Sequence, residues 1–292
     1  MIIPPHLAQT LAAAVDEGSL EAAADALHLT PPAVSQRIRQ LEQLTGQVLL
    51  IRSRPVQATA AGLAVIRFAR QVEHLDATTR RDLGLTGHSI AIPIGVNADS
   101  LATWLLAPLV ELARDHAVTF DLFRDDQEHT LDLLQAGTVL AAVTSDPVAV
   151  PGCSVHPLGA ISYRAAAAPA FAERWFRDGV TTTALAEAPL VDFDRRDELQ
   201  NRWLETMGAD PHAPPRHRIP STADMTEAIR LGLGWGMVIA LEGHDHSQRL
   251  TDLGGETVTV PLYWQQWRAS SKLLDAVAER IRDAGSRLRP LG

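Results

Sequence analysis

Ser19-Leu20-Glu21-Ala22-Ala23-Ala24-Asp25-Ala26-Leu27-His28-Leu29-Thr30-Pro31-Pro32-Ala33-Val34-Ser35-Gln36-Arg37-Ile38-Arg39-Gln40-Leu41-Glu42 reads as two short helices around a tight turn. The first is almost all alanine on the side that must touch its partner. The second opens at Thr30-Pro31-Pro32, an N-cap followed by prolines in a first turn whose amides have no helical acceptor. Val34, Ile38 and Leu41 recur at spacings of four and three, which puts them on one face. Ser35, Gln36, Arg37, Arg39 and Gln40 fall on the opposite, wet side. Small residues on one helix and a polar-basic face on the next are what a helix-turn-helix needs.

Working outward, residues 5–17 read as a preceding helix with Leu7, Leu11, Ala14 and Val15 on one side, stopped by Gly18. Gly46 ends the third helix. Val48 to Ile51 and Val56 to Thr59 flank Arg52-Ser53-Arg54-Pro55, a short hairpin or wing with two arginines at its tip. A plain surface hairpin would carry the same pattern, but the arginines favour minor-groove or phosphate contact. Thr59 caps a long helix to about residue 83. On it Val65, Phe68, Val72 and Leu75 step by three, four and three, a heptad-type seam suited to the same helix of a second subunit. Leu85-Thr86-Gly87-His88 is the hinge into the next domain.

Charge separates the same two regions. Residues 1–85 carry eight arginines and eight acidic residues, so the whole net charge of −9 lies beyond them. Residues 31–54 hold Arg37, Arg39, Arg52 and Arg54 against Glu42 alone, a local +3. That face suits phosphate contacts, and the acidic remainder should stay off nucleic acid. At 292 residues there is room for two or three domains. No apolar run approaches a membrane span and no signal-peptide pattern opens the chain, so a cytoplasmic protein without membrane association is expected. Cys153 is the single cysteine and reads as a packing residue rather than a reactive thiol.

From Ser89 the texture becomes strand, helix, strand. Ile90 to Val96, Val118 to Phe123 and Val139 to Thr144 read as strands, separated by Asn97-Ala98-Asp99-Ser100 with an apolar helix through about Ala113 and by a helix over Glu128 to Gln135. A second unit has strands at Pro189–Phe193, Arg216–Ile219 and Trp235–Ala240, with helices over 196–207 and 223–231. Thr257 to Tyr263 adds a strand and 270–288 a closing helix. The fold class is α/β with a parallel sheet and two lobes joined by crossing strands. Ligands of such sheets bind beyond the carboxyl ends of strands. The polar clusters there are Asn97, Asp99 and Ser100; Thr144, Ser145 and Asp146; Asp192 and Asp194; and Ser221, Thr222 and Asp224, with Trp235 nearby. Ser100 and Thr222 also read as helix caps. Helix N-termini for a carboxylate and aspartates for a cation suit a basic amino acid.

Enzyme signatures are absent: there is no Gly-x-Ser-x-Gly elbow and no phosphate-loop Gly-Lys-Ser/Thr. Gly232, Gly234 and Gly236 follow a helix and precede a strand, the reverse of a dinucleotide fingerprint, and read as a turn. His244 and His246 have no third ligand nearby, so no metal site and no cofactor are expected.

Gly18-Ser19-Leu20, Ala22-Ala23, Leu27-His28-Leu29-Thr30, Ala33-Val34-Ser35-Gln36, Leu41-Glu42, Gly46 and Thr59-Ala60-Ala61-Gly62 together resemble the LysR-type transcriptional regulators. Ala33-Val34-Ser35-Gln36-Arg37-Ile38, Asn97-Ala98-Asp99-Ser100-Leu101-Ala102-Thr103-Trp104-Leu105-Leu106 and Leu262-Tyr263-Trp264 resemble its basic-amino-acid-responsive branch. That branch holds lysine-export regulators and the arginine-exporter activator, also described as an inhibitor of chromosome replication initiation. The resemblance spans essentially the whole chain. It implies a winged helix-turn-helix over 1–59, a dimerising linker helix and hinge over 60–88, and a two-lobed, periplasmic-binding-protein-like effector domain over 89–292. Lobe I would take about 89–162 and 266–292, and lobe II about 163–265. The resemblance further implies a homodimer or homotetramer on a double-stranded DNA operator, RNA polymerase as a further contact, and lysine, arginine or histidine as co-effector. By family pattern Thr30, Pro32, Ser35, Gln36 and Arg37 face DNA, with Arg39 beside them and Arg52 or Arg54 from the wing. Gln36 suits adenine edges, and Arg37 guanine or phosphate. The double proline Pro31-Pro32 departs from the family, which usually offers a polar residue there. Two other readings stay open: a ligand-insensitive architectural or replication-origin binder, and an amino-acid-binding or enzymatic α/β protein without a DNA role.

Overall fold

The structure, a computed structural model, describes residues 2–85, 89–124, 127–240, 250–269 and 271–290, with the side chains of 127–129 outside the description. Three helices, α1 (Pro5–Asp16), α2 (Leu20–Ala26) and α3 (Pro31–Thr45), pack with a two-strand wing, β1 (Leu50–Ile51) and β2 (Gln57–Ala58). Ala23 and Ala24 are fully buried, so α2 lies close against α3, whose Val34, Ile38 and Leu41 fill the same core. Ser19 caps α2 through the amide of Ala22 at 3.0 Å, and Gly46 ends α3 in the left-handed region. Glu42, the one acid in the basic stretch, accepts the amide of Leu49 at 3.0 Å and so ties the end of α3 to the start of the wing.

The long helix α4 (Ala60–Asp82) begins at Thr59, whose hydroxyl accepts the amide of Gly62 at 3.0 Å. The seam read on it divides. Val65 is buried in the winged-helix core and Phe68 packs against that core, so these two are used within the chain. Val72 is half-buried and Leu75 is 39% exposed, which leaves only the later half facing outward.

The same helix lies on the effector lobe of its own chain. Arg67 donates to the carbonyl of Gln135 at 2.9 Å and covers the Trp267 ring at 4.8 Å. Arg70 donates to Thr138 Oγ1 at 2.8 Å and to the Ala136 carbonyl at 3.3 Å, and pairs with Asp16 on α1. Buried His74 meets Ser271 Oγ at 2.9 Å. Arg70→Ala removes three of these bonds at once and is expected to weaken the docking by about 1–3 kcal/mol. Faster proteolysis within α4 and a larger scattering radius would register it. His74 is held below its ordinary value of 6.5, by burial first and then by Arg81. A base with a lowered pKa binds fewer protons docked than released. Docking is therefore constant above pH 6.5 and weakens as the pH falls below it, a trend the same scattering measurement follows.

Beyond the hinge, β3 (Ile90–Val96), β4 (Val118–Arg124) and β5 (Ala141–Thr144) form the expected parallel sheet. The single helix read through about Ala113 is two: α5 (Ala98–Thr103) and α6 (Leu106–Asp115). Pro108 has no amide to offer the carbonyl of Trp104, so the helix breaks and restarts there. A further helix, α7 (Gln127–Gln135), precedes β5.

The largest departure is β6 (Cys153–Ala167), a 15-residue strand that the sequence reading passed over. Pro157 and Gly159 look like turn residues, and the run Ala165-Ala166-Ala167 lacks the branched side chains typical of strands. In the structure those two residues sit at a bulge opposite Leu262 and Tyr263, and Gly159 has φ +132, which only glycine adopts without strain. The alanines are fully buried and let lobe II close over them. β6 pairs antiparallel along β11 (Val258–Trp267), and β11 pairs antiparallel with β5, so the sheet is mixed rather than parallel. These two strands join the lobes. On the far side β6 also pairs with β9 (Gly236–Ile239) and β10 (Thr251–Asp252).

Helices α8 (Pro169–Trp175) and α9 (Thr182–Glu187) lead to a separate parallel pair, β7 (Leu190–Asp192) and β8 (Arg216–Arg218), with α10 (Leu199–Thr206) between them. α11 (Thr222–Arg230) precedes β9, and α12 (Lys272–Gly285) closes lobe I. Gly232 and Gly234 lie in the turn into β9, whereas Gly236 is already its first residue, paired with Ala166. A Cβ on Gly234 would lie 2.7 Å from the Pro189 carbonyl oxygen. Cys153 is buried and its thiol is pushed up to about 12 by burial, as a packing residue should be. His244 and His246 lie outside the described residues.

Candidate functional sites

Most of the DNA-facing candidates are exposed on α3 and the wing. Gln36, Arg39 and Gln40 on α3 are exposed, as are Pro32 at its start and Arg52 and Arg54 on the wing. Ser35 and Arg52 line one shallow groove with Leu20, Ile38, Glu42 and Leu50, so helix and wing share a surface. Thr30 occupies the N-cap position without a side-chain capping bond, and the prolines at the first two helical positions have no amides to satisfy. Arg37 is half-buried and its guanidinium reaches back to Thr10 on α1 at 3.4 Å. Arg39 donates to Ser35 Oγ at 3.2 Å.

The second site is a cleft of about 1090 Å³ between the lobes. Asn97, Asp99, Asp194 and Thr222 line it, four of the nine residues read as ligand-binding. Asn97 ends β3 and caps α5, accepting the amide of Ser100 at 3.3 Å. Asp99 is the centre of the arrangement. One of its oxygens accepts the Tyr163 hydroxyl at 2.5 Å and the other the Thr222 hydroxyl at 2.8 Å. α5 belongs to one lobe, α11 to the other, and Tyr163 lies on the crossing strand β6, so a single carboxylate clasps three elements. Burial raises the Tyr163 hydroxyl well above the ordinary tyrosine range, and the charge and hydrogen bond of Asp99 add to it. Tyr163 is therefore a fixed donor.

The cap readings are corrected here. Neither Ser100 nor Thr222 caps its helix; Asn97 and Ser221 do, which leaves the Thr222 hydroxyl to reach across the cleft. Ser100 is fully buried beside Asn97, and among the described residues its Oγ has no partner. Thr144 and Asp146 are committed to the loop after β5. Thr144 Oγ1 accepts the Asp146 amide at 3.1 Å, and Asp146 Oδ1 accepts the Val148 amide at 2.7 Å. Ser145 between them lines the cleft instead. Asp192 is sealed against Arg216 at 2.7 Å, and its burial raises its proton affinity more than that arginine lowers it. Trp235 is core: its ring packs on Trp203 with centroids 5.1 Å apart, both fully buried.

The reading missed Tyr163, because its strand was missed, and Asp197, because it fell in a segment read as helix from 196. The helix begins at Leu199 instead. Before it, Asp194 accepts the amides of Arg196 and Asp197 at 2.7 and 3.1 Å and holds the segment as a loop at the cleft wall. Arg124, Arg195 and Arg202 also line the cleft, all exposed. Among the described residues no group of histidines, cysteines and carboxylates could hold a metal ion, and no helix is long and apolar enough to cross a membrane.

Both parts of the chain match known families. Residues 5–63 match the bacterial regulatory helix-turn-helix family of the lysR type, and residues 91–286 match the LysR substrate binding domain. The lysine export transcriptional regulatory protein LysG of Corynebacterium glutamicum is 37% identical over 290 residues, covering 98% of this chain and 99% of its own. The crystal structure of ArgP from Mycobacterium tuberculosis superposes with a TM-score of 0.90 at 37% identity over the full length of both chains. Full-length LysG from Corynebacterium glutamicum with arginine bound as effector gives 0.83 at 35% identity, covering 98% of this chain and all of that one. The chain thus belongs to the LysR-type transcriptional regulators, in the branch of LysG and ArgP, and is a DNA-binding regulator rather than an enzyme.

Proposed function

We propose that this regulator senses a basic amino acid, arginine or lysine ahead of histidine, and controls genes of amino-acid export as a homo-oligomer bound to an operator. The observation that carries the reading is Asp99, a cleft-lining carboxylate held between hydroxyls from the crossing strand and the opposite lobe. The α-ammonium of an amino acid entering beside it gains a preorganised anion, and the lobes gain a reason to stay closed. The arginine bound to the LysG relative and the export role in that relative's name support the same reading. Thr30, Pro32, Ser35, Gln36, Arg37, Arg39, Arg52 and Arg54 would carry DNA contact. Val72 and Leu75 would extend an intersubunit seam, while Val65 and Phe68 serve the chain's own core. RNA polymerase would be met by the DNA-bound oligomer.

Calorimetric titration of the full chain with arginine, lysine and histidine tests the ligand. Heat of binding from arginine or lysine is expected, and none from any of the three would end this assignment. Footprinting with and without ligand separates the sensor from an architectural binder, whose protection would not change.

A further inference from the structure

We infer that Asp197 is the specificity residue of this cleft, selecting ligands whose far end carries a cation. The inference rests on the basic-amino-acid reading above. Asp197 lies in the loop between β7 and α10 and lines the cleft. Its Oδ2 accepts the amide of Phe193 at 3.2 Å, and its Oδ1 accepts that of Leu199 at 3.1 Å. Its own amide is held by Asp194 Oδ1 at 3.1 Å. Both ends of the loop therefore fix this carboxylate, and nothing need rotate for it to meet a ligand.

The other cleft carboxylates bridge the lobes, organise the loop or face solvent. Both oxygens of Asp99 already accept hydroxyls and bridge the lobes. Asp194 organises the loop through two amides. Glu198 is exposed and accepts the Asn201 side chain at 2.8 Å. Asp192, behind the cleft wall, has its arginine. Among the described residues Asp197 forms no ion pair; its donors are neutral amides, two from the backbone and one from Gln200. Burial is the largest influence on it and raises its proton affinity, with the charge of Asp192 adding to this against the amide bonds. A desolvated carboxylate without a counter-charge, facing a cleft, is stabilised by a cation the protein does not itself supply.

The test uses arginine and citrulline, its neutral isostere with a urea in place of the guanidinium, titrated calorimetrically into the full chain. Wild type should prefer arginine by about tenfold or more. In Asp197→Asn the preference should shrink to about threefold or less, through weaker arginine binding with citrulline nearly unchanged. Asp99→Asn should weaken both ligands and keep their ratio. A ratio kept in Asp197→Asn overturns the inference, as does equal loss of both ligands by a variant that still melts like wild type. Should the Asn variant fail to fold, Asp197→Glu decides: it keeps the charge and should keep the preference, and a folded Glu variant without it overturns the assignment. Wild type that binds neither arginine nor lysine removes the basic-amino-acid reading itself, and the inference with it.

Discussion

Gly62→Ala severely weakens operator binding while leaving the effector domain folded: that is the outcome expected from the entry to α4. A Cβ at position 62 would lie 2.1 Å from the Leu49 carbonyl oxygen and 3.2 Å from the Ala58 Cβ. The first contact is backbone, so no side chain can swing away. Relief requires α4 to move off the wing, and α4 carries Val65, Ile66 and Ala69 of the winged-helix core. Overpacking against backbone costs about 3 kcal/mol or more, much of the stability of a domain this small. The wing that holds Arg52 and Arg54 would shift relative to α3, and operator affinity should fall by about 100-fold or more. Calorimetric melting should show a lowered first transition and an unshifted second one, with gel-shift titration reporting the affinity. Wild-type behaviour in both would mean that the close approach at Gly62 is not required.

Asp99→Ala is the counterpart in the effector domain. Truncation removes the shared acceptor of Tyr163 and Thr222 and the charge expected to meet the ligand. Removing one partner of a partly buried, charge-assisted set costs about 2–5 kcal/mol, so arginine affinity should fall by about 100-fold. DNA binding without ligand should be unchanged, since Asp99 touches nothing in the winged unit. Calorimetry and ligand-dependent footprinting read the two effects separately. An unaltered ligand affinity would remove Asp99 from the site.

These two positions differ in how far the sequence revealed them. The Thr59-Ala60-Ala61-Gly62 pattern marked the entry to α4, but not why glycine is needed there. The reason is a carbonyl 13 residues earlier, brought close by the wing. Asp99 stood out as a carboxylate at a strand end. Its partners lie 64 and 123 residues away, on a strand hidden by Pro157 and Gly159 and on a helix whose capping serine was misassigned by one position. The same limit explains Asp192 and Trp235. Asp192 stands at the carboxyl end of β7, where ligands of open sheets bind, and Trp235 just before β9, yet one is closed off by Arg216 and the other by Trp203.

Local patterns sufficed for the helix-turn-helix, the wing, the long helix and the α/β texture beyond it. Each depends on periodicity, caps and breakers acting within a few residues, and so does the concentration of arginine on one face. Tertiary structure alone decided which half of the α4 seam faces inward, that α4 docks on its own lobe through Arg67, Arg70 and His74, and which strand-end carboxylates remain open to a ligand. Those outcomes depend on distant groups competing for the same oxygen or the same buried face. One sequence carries the residue types for that competition, and only the folded chain settles which partner each residue takes.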